Sequence, residues 1–234
     1  MNKNLKYISI IPARGGSKGV PGKNTRTLAG KPLIAWSIES SLSCGLISKT
    51  IVSTDDLCIA DIAKRYGAEV PFMRPHELAK DETATEPVLK HTLEWLQNNG
   101  YSVNAFILMQ PTSPFRKKNT ISDAIKKFET QNLNSLLSVC KNNHFFWKNV
   151  NKPQSLYDYR NRPRRQDIQE DERWYKETGS IYITRADAFM RQGNRLCEPI
   201  GIYVMDDEEG YEIDTVTDFC ILESIMSKSN LYDN

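Results

Sequence analysis

A chain of 234 residues with 39% hydrophobic and 26% charged residues has the make-up of a soluble globular protein, and it is long enough to bury the core of one α/β domain. A net charge of +2 says nothing of nucleic acid or of an anionic membrane, which only a local basic cluster could indicate. Five cysteines (Cys44, Cys58, Cys140, Cys197 and Cys220), none at C-x-x-C spacing, fit neither a zinc site nor a disulfide framework and point to reduced thiols in a cytoplasmic protein.

The opening segment has a short apolar run but lacks a signal peptide's long apolar stretch. No run approaches the roughly 20 apolar residues of a membrane span. Residues 7–13 predict a buried strand that ends in a glycine loop. Residues 31–43 set Leu33, Ile34, Ile38 and Leu42 at helical spacing before Gly45. A strand over 49–54 closes at Asp55-Asp56, and a helix over 57–66 stops at Gly67. A short strand is expected over 69–73, weakened by Pro71. A helix over 86–98, a strand over 104–109, a helix over 119–129 and a strand over 134–139 follow.

This alternation implies a parallel sheet wrapped by helices on both faces, a three-layer Rossmann-like arrangement. Ligands in such sheets sit at the carboxyl ends of strands, so the loops after residues 13, 54 and 109 are the places to look. Residues 141–177 break the pattern: they are polar, yet hold Trp147, Tyr157, Tyr159, Trp174 and Tyr175. They read as an excursion inserted into a single domain spanning 1–234. Strands over 180–184 and 200–205 and a helix over 215–228 complete the chain.

The first loop runs from Arg14 to Asn24 and carries four glycines, which let backbone approach a ligand closely. Consecutive N–H groups in such a loop form an anion nest. Arg14, Lys18 and Lys23 add three cations, so a triphosphate is the natural guest. The spacing matches neither a Walker A loop nor G-x-G-x-x-G, because residue 17 is Ser and Gly16 is followed by Ser17-Lys18-Gly19. A surface loop with solvated charges is the plainer alternative.

The runs I-P-A-R-G-G-S-K-G (11–19), P-G-K-N (21–24) and G-K-P-L-I-A-W-S-I (30–38) resemble the opening of the acylneuraminate cytidylyltransferases, which make CMP-activated sialic, legionaminic and pseudaminic acids. S-T-D-D (53–56), R-P-H-E-L-A (74–79), Q-P-T-S-P-F-R (110–116) and E-I-D-T-V-T-D (212–218) agree in the same order. The resemblance implies transfer of CMP from CTP to the anomeric hydroxyl of an acidic nine-carbon sugar, with release of pyrophosphate. It places Arg14, Gly15, Lys18, Lys23 and Asn24 on the nucleotide, with Arg14 and Lys23 catalytic. It brings Arg74 to the cytosine and Thr85 to the nucleotide; the plainer readings are a surface arginine beside a turn proline and a helix N-cap. Gln110 contacts the acceptor sugar in relatives, and no metal-binding Asp stands at about this place, which argues against the branch that activates Kdo.

Glu212 and Asp214 flank one residue of an extended segment, which puts both carboxylates on one face, and a Mg²⁺ takes one or two carboxylates plus phosphate oxygens. The family has D-I-D here, so Glu212 adds a methylene. Asp218, one turn on, reads as a capping acid. Arg160, Arg162, Arg164 and Arg165 cluster, but Asp167, Glu170, Asp171 and Glu172 follow at once, which weakens a nucleic-acid reading. By resemblance the excursion builds a homodimer, and Arg165-Gln166 matches a pair that sends an arginine to the sugar carboxylate in the partner's active site, with Arg164 as its rival. Thr178 and Tyr182 of T-G-S-I-Y-I match sugar-contacting positions, with Thr178 in place of Asn. An enzyme for Kdo and a non-catalytic nucleotide-binding protein remain as alternatives, and the retained Gln110, Glu212 and Asp214 favour the enzyme.

Overall fold

The computed structural model describes residues 3–232. In chain order the strands are β1 (Lys3–Pro12), β2 (Thr27–Leu28), β3 (Lys31–Pro32), β4 (Lys49–Ser53), β5 (Tyr101–Leu108), β6 (Ser135–Lys141), β7 (Trp147–Lys148), β8 (Gln154–Ser155), β9 (Tyr175–Arg185) and β10 (Ile200–Met205). The helices are α1 (Leu33–Ser43), α2 (Leu57–Arg65), α3 (Thr85–Asn98), α4 (Thr120–Thr130), α5 (Ala186–Gln192) and α6 (Val216–Tyr232).

Alternation along β1 explains the layering. Tyr7 and Ile11 point to one face, where Ile34, Ile38, Ile59, Ile125 and Phe128 bring α1, α2 and α4 against the sheet. Ile8 and Ile10 point to the other, where Leu89, Leu93, Leu96 and Phe189 bring α3 and α5. Helices thus cover both faces, as expected. The six-stranded sheet has the order β10-β6-β9-β5-β1-β4. Its neighbours pair in parallel except at β9, which runs antiparallel to both β5 and β6. The strands read from the alternation through residue 140 are parallel to one another, while β9 returns from the excursion and enters the middle of the sheet against the common direction.

The strand expected over 69–73 is reduced to one bridge, Ile51 to Glu69, since Pro71 has no N–H to continue a ladder. The excursion contains the β7–β8 hairpin, a 3-10 turn over Arg165–Asp167 and another over Glu170–Glu172. Phe145 packs on Tyr157 with ring centroids 4.5 Å apart, while Trp147 and Trp174 stay about half exposed. A third apolar cluster, including Val20, Leu33, Ile213 and Phe219, seats the glycine loop on the segment leading into α6. No described helix is long and apolar enough to cross a membrane.

Candidate active site

The carboxyl ends of β1 and β5 open on a cavity of about 480 Å³. The glycine loop forms one wall. Gly22 adopts a left-handed φ of 64° and starts the 3-10 turn that carries Lys23 and Asn24. Lys23 Nζ donates to the Ile213 carbonyl at 2.6 Å and lies 3.7 Å from Asp214 Oδ1. A Cβ on Gly19 would stand 2.5 Å from the Asp214 carbonyl oxygen, so only glycine lets the loop pass so close to that segment. Asn24 is buried and its amide donates to the Arg14 carbonyl at 3.0 Å, fixing the two ends of the loop to each other.

Arg14 and Lys18 both reach the carboxylate of Asp81, on the opposite rim. Those two cations hold the Asp81 carboxyl below the usual range, Lys18 contributing most. Arg74 donates to the hydroxyl of Ser53 at 3.2 Å and to its carbonyl, which anchors the guanidinium at the end of β4. Burial brings its pKa down to about 10; Arg14 adds to the fall and Asp55 opposes it.

Arg14, Lys18, Lys23 and Asn24 line the cavity, and Arg74, Thr85, Gln110 and Asp214 line it with them. The other predicted residues stand elsewhere. The Gly15 N–H donates to Asp55 Oδ1 at 3.1 Å, and a Cβ there would meet Asp56 Oδ2 at 2.7 Å. Glycine at 15 therefore serves the packing of the loop on the end of β4, and its amide is not a free member of an anion nest. Thr85 is the first residue of α3, whose N-cap is Ala84, so the capping reading of Thr85 is corrected.

Thr178 is buried and its hydroxyl donates to the Ser138 carbonyl at 3.1 Å. The Tyr182 ring is buried under the Arg195 guanidinium, 4.8 Å from its centroid, and the hydroxyl donates to Glu177 at 2.5 Å. Tyr182 therefore packs the core, and burial raises its pKa well above the usual tyrosine value. Neither residue lines the cavity in this geometry.

Glu212 Oε1 accepts from the Gly179 N–H at 2.6 Å and lies 3.4 Å from the Ser113 hydroxyl, while Asp214 is largely exposed at the cavity rim. Ile213 between them is fully buried; Asp214 faces the cavity, while the Glu212 carboxylate turns to the Gly179 backbone. No cluster of three or more His, Cys, Asp or Glu side chains converges among the described residues. A divalent ion here fits only with Asp214, with Glu212 as a second carboxylate, and with phosphate oxygens completing the shell. Asp218 accepts from the N–H groups of Asp214 and Thr215, so it caps α6 as expected.

In the excursion, Arg160 lies over Tyr159, Arg162 over Phe145, and Arg164 pairs with Asp167 at 2.6 Å. Among the described residues of this run, Arg165 alone makes no ion pair, hydrogen bond or ring contact. Sequence reasoning missed Asp81 and Arg116. Asp81 stands in a polar stretch with nothing to set it apart, and Arg116 closes the Q-P-T-S-P-F-R run without a sign that it is buried.

A strand, a cation-rich glycine loop and a cavity at the carboxyl edge of an α/β sheet form a site suited to the phosphates of a nucleotide. The same fold occurs in CMP:2-keto-3-deoxy-manno-octonic acid synthetase complexed with CTP, at a TM-score of 0.71 and 18% identity over 96% of this chain and 99% of that one. The family model described as Cytidylyltransferase matches residues 8–233, and the chain belongs to that family. It is 34% identical to the CMP-N,N'-diacetyllegionaminic acid synthase of Legionella pneumophila, over 95% of this chain and 97% of the relative. It is 32% identical to the N-acylneuraminate cytidylyltransferase of Escherichia coli, over 98% of this chain and 55% of that longer relative.

Proposed function

We propose that the chain transfers CMP from CTP to the anomeric hydroxyl of a nine-carbon acidic sugar of the sialic, legionaminic or pseudaminic type. One observation carries the reading: Arg14, Lys18, Lys23, Arg74, Gln110 and Asp214 share one cavity, in a chain that matches a CMP-legionaminate synthase nearly end to end. The anomeric oxygen attacks the α-phosphorus of CTP, the bond to the departing pyrophosphate breaks, and the hydroxyl proton leaves. Such a displacement needs alignment and neutralised charge more than covalent help. Arg14, Lys18 and Lys23 grip the triphosphate, which displaces Asp81 from Arg14 and Lys18. Arg74, held rigid by Ser53, donates toward the cytosine, and Gln110 donates to the acceptor. Mg²⁺, held by Asp214 and Glu212, supplies further charge neutralisation on the phosphates when bound.

CTP is expected to be the preferred donor by a wide margin over UTP, GTP and ATP in a pyrophosphate-release assay with sialic, legionaminic and pseudaminic acids. Equal use of UTP or GTP overturns the donor assignment.

The working unit in this reading is a cytoplasmic homodimer that needs neither nucleic acid nor membrane. Residues 141–177 form its interface, and Arg165 crosses to the partner's site to hold the sugar carboxylate. The exposed aromatic side chains of the excursion and the unpaired guanidinium of Arg165 support this. Arg165→Ala is expected to raise the KM for sugar far more than that for CTP, by about tenfold to a hundredfold. Mixing Arg165→Ala with Asp214→Asn subunits places both intact groups in one site of each mixed dimer, so activity recovers. No recovery after proven subunit exchange means that Arg165 serves its own subunit or none.

A further inference from the structure

Arg116 lies just before α4, and its side chain is buried. Its Nη1 donates to the Ser37 hydroxyl at 3.0 Å, and its Nη2 donates to the Ser180 carbonyl at 2.8 Å and the Gln110 carbonyl at 3.2 Å. Its Nε adds a second bond to the Ser180 carbonyl at 3.3 Å. Every acceptor is neutral. Glu209 acts on it only through space, because its own carboxylate is taken by the Lys117 N–H and the Thr120 hydroxyl. Burial accordingly brings the guanidinium pKa down to about 9.

A buried cation without a bonded anion is costly, and what Arg116 returns is the pairing of carbonyls that an apolar side chain would leave unsatisfied. The identity of those acceptors therefore says what the residue does. Both main-chain acceptors belong to the crossing of the Gln110 loop and β9. At that crossing the Gln110 N–H donates to the Gly179 carbonyl at 3.2 Å, and the Gly179 N–H donates to Glu212 at 2.6 Å. A Cβ on Gly179 would stand 2.0 Å from Gln110 Oε1 and 2.7 Å from Glu212 Oε1, so both side chains lean on the same bare backbone. Ser37 ties this crossing to α1.

We propose that Arg116 is a positioning residue that locks Gln110 and the Gly179–Ser180 backbone together, and so orients the Gln110 carboxamide for the acceptor sugar. The proposal rests on the reading of Gln110 as an acceptor contact. It predicts that damage at Arg116 is felt by the sugar and not by CTP.

The test is steady-state kinetics of Arg116→Gln, Gln110→Ala and the double variant, with CTP and whichever of the three acceptors the wild type uses best. Arg116→Gln is expected to raise the KM for acceptor about tenfold while that for CTP stays within about twofold. The double variant is expected to be little worse than Gln110→Ala alone, because both changes remove one interaction. Additive effects, an equal rise in both KM values, or no change overturn the proposal. Should Arg116→Gln fail to fold, Ser37→Ala, which removes one acceptor of the guanidinium, is read against the same criteria, with an expected rise of about twofold to fivefold. If Gln110→Ala itself leaves the acceptor KM unchanged, the acceptor reading of Gln110 falls. An unchanged Arg116→Gln beside an impaired Gln110→Ala overturns the positioning role alone.

Discussion

Replacing Lys23 with Met is expected to lower kcat/KM for CTP by about 10²–10³ while the protein stays folded. The side chain is only 11% exposed, and its stem packs between the glycine loop and the segment before α6. Methionine keeps most of that packing and removes only the ammonium. What is lost is a cation at the cavity wall, bonded to the Ile213 carbonyl at 2.6 Å and 3.7 Å from Asp214. In a site closed around a triphosphate, such a charge is worth far more than it would be in water. The ammonium also ties the loop to the segment that carries Glu212 and Asp214, so its loss loosens both walls at once. Steady-state kinetics beside a thermal melt separates the two effects. Near-normal turnover in a folded Lys23→Met protein would show that Lys23 is a structural tie and no more.

Asp214→Asn is expected to abolish most turnover, again by about 10²–10³, at every Mg²⁺ concentration tried. The substitution is nearly isosteric. The N–H of Asp214 still donates to Asp218, so the cap of α6 survives. The Asp214 side chain is 80% exposed, and stability should change by no more than about 0.5 kcal/mol. In the proposed reading function changes because an amide oxygen is a poor substitute for a carboxylate toward a small, hard divalent ion. Near-normal activity across a Mg²⁺ titration would overturn the proposal that Asp214 holds a metal.

Much of the fold was legible because the apolar runs and their breakers agree. The strand through Ile8, Ile10 and Ile11, the helix stopped at Gly67, and the strand of Ile107 and Leu108 closed by Gln110-Pro111 all stand where periodicity places them. Periodicity was silent where polar residues pair through the backbone. Lys3 to Leu5 extend β1 by pairing with Tyr101 to Val103, which requires no apolar side chain in particular. The seven-residue α5 is too short to show a helical stripe, and the antiparallel entry of β9 depends on how the excursion returns.

The site divides in the same way. Cations beside glycines mark a loop suited to phosphates, so the gathering of Arg14, Lys18 and Lys23 at the cavity was legible from spacing. Asp81 meets Arg14 from 67 positions away, and Arg116 meets Ser37 from 79 and Ser180 from 64, separations that no local pattern records. The surroundings of Thr178 and Tyr182 were not legible for a related reason. A residue on a buried strand turns to whichever layer its register dictates, and here Ser138 and Glu177 take their hydroxyls.

The most direct test is to identify the product. The protein is incubated with CTP labelled at the α-phosphate, Mg²⁺ and each of the three nine-carbon acids in turn, and the products are separated and weighed by mass spectrometry. The label is predicted to move into a CMP-sugar with at least one acceptor, matched mole for mole by pyrophosphate and absent when the sugar is left out. Label that stays in CTP with all three sugars, or that appears as free CMP regardless of sugar, would contradict the reading of this chain as a synthetase of CMP-activated nine-carbon acids.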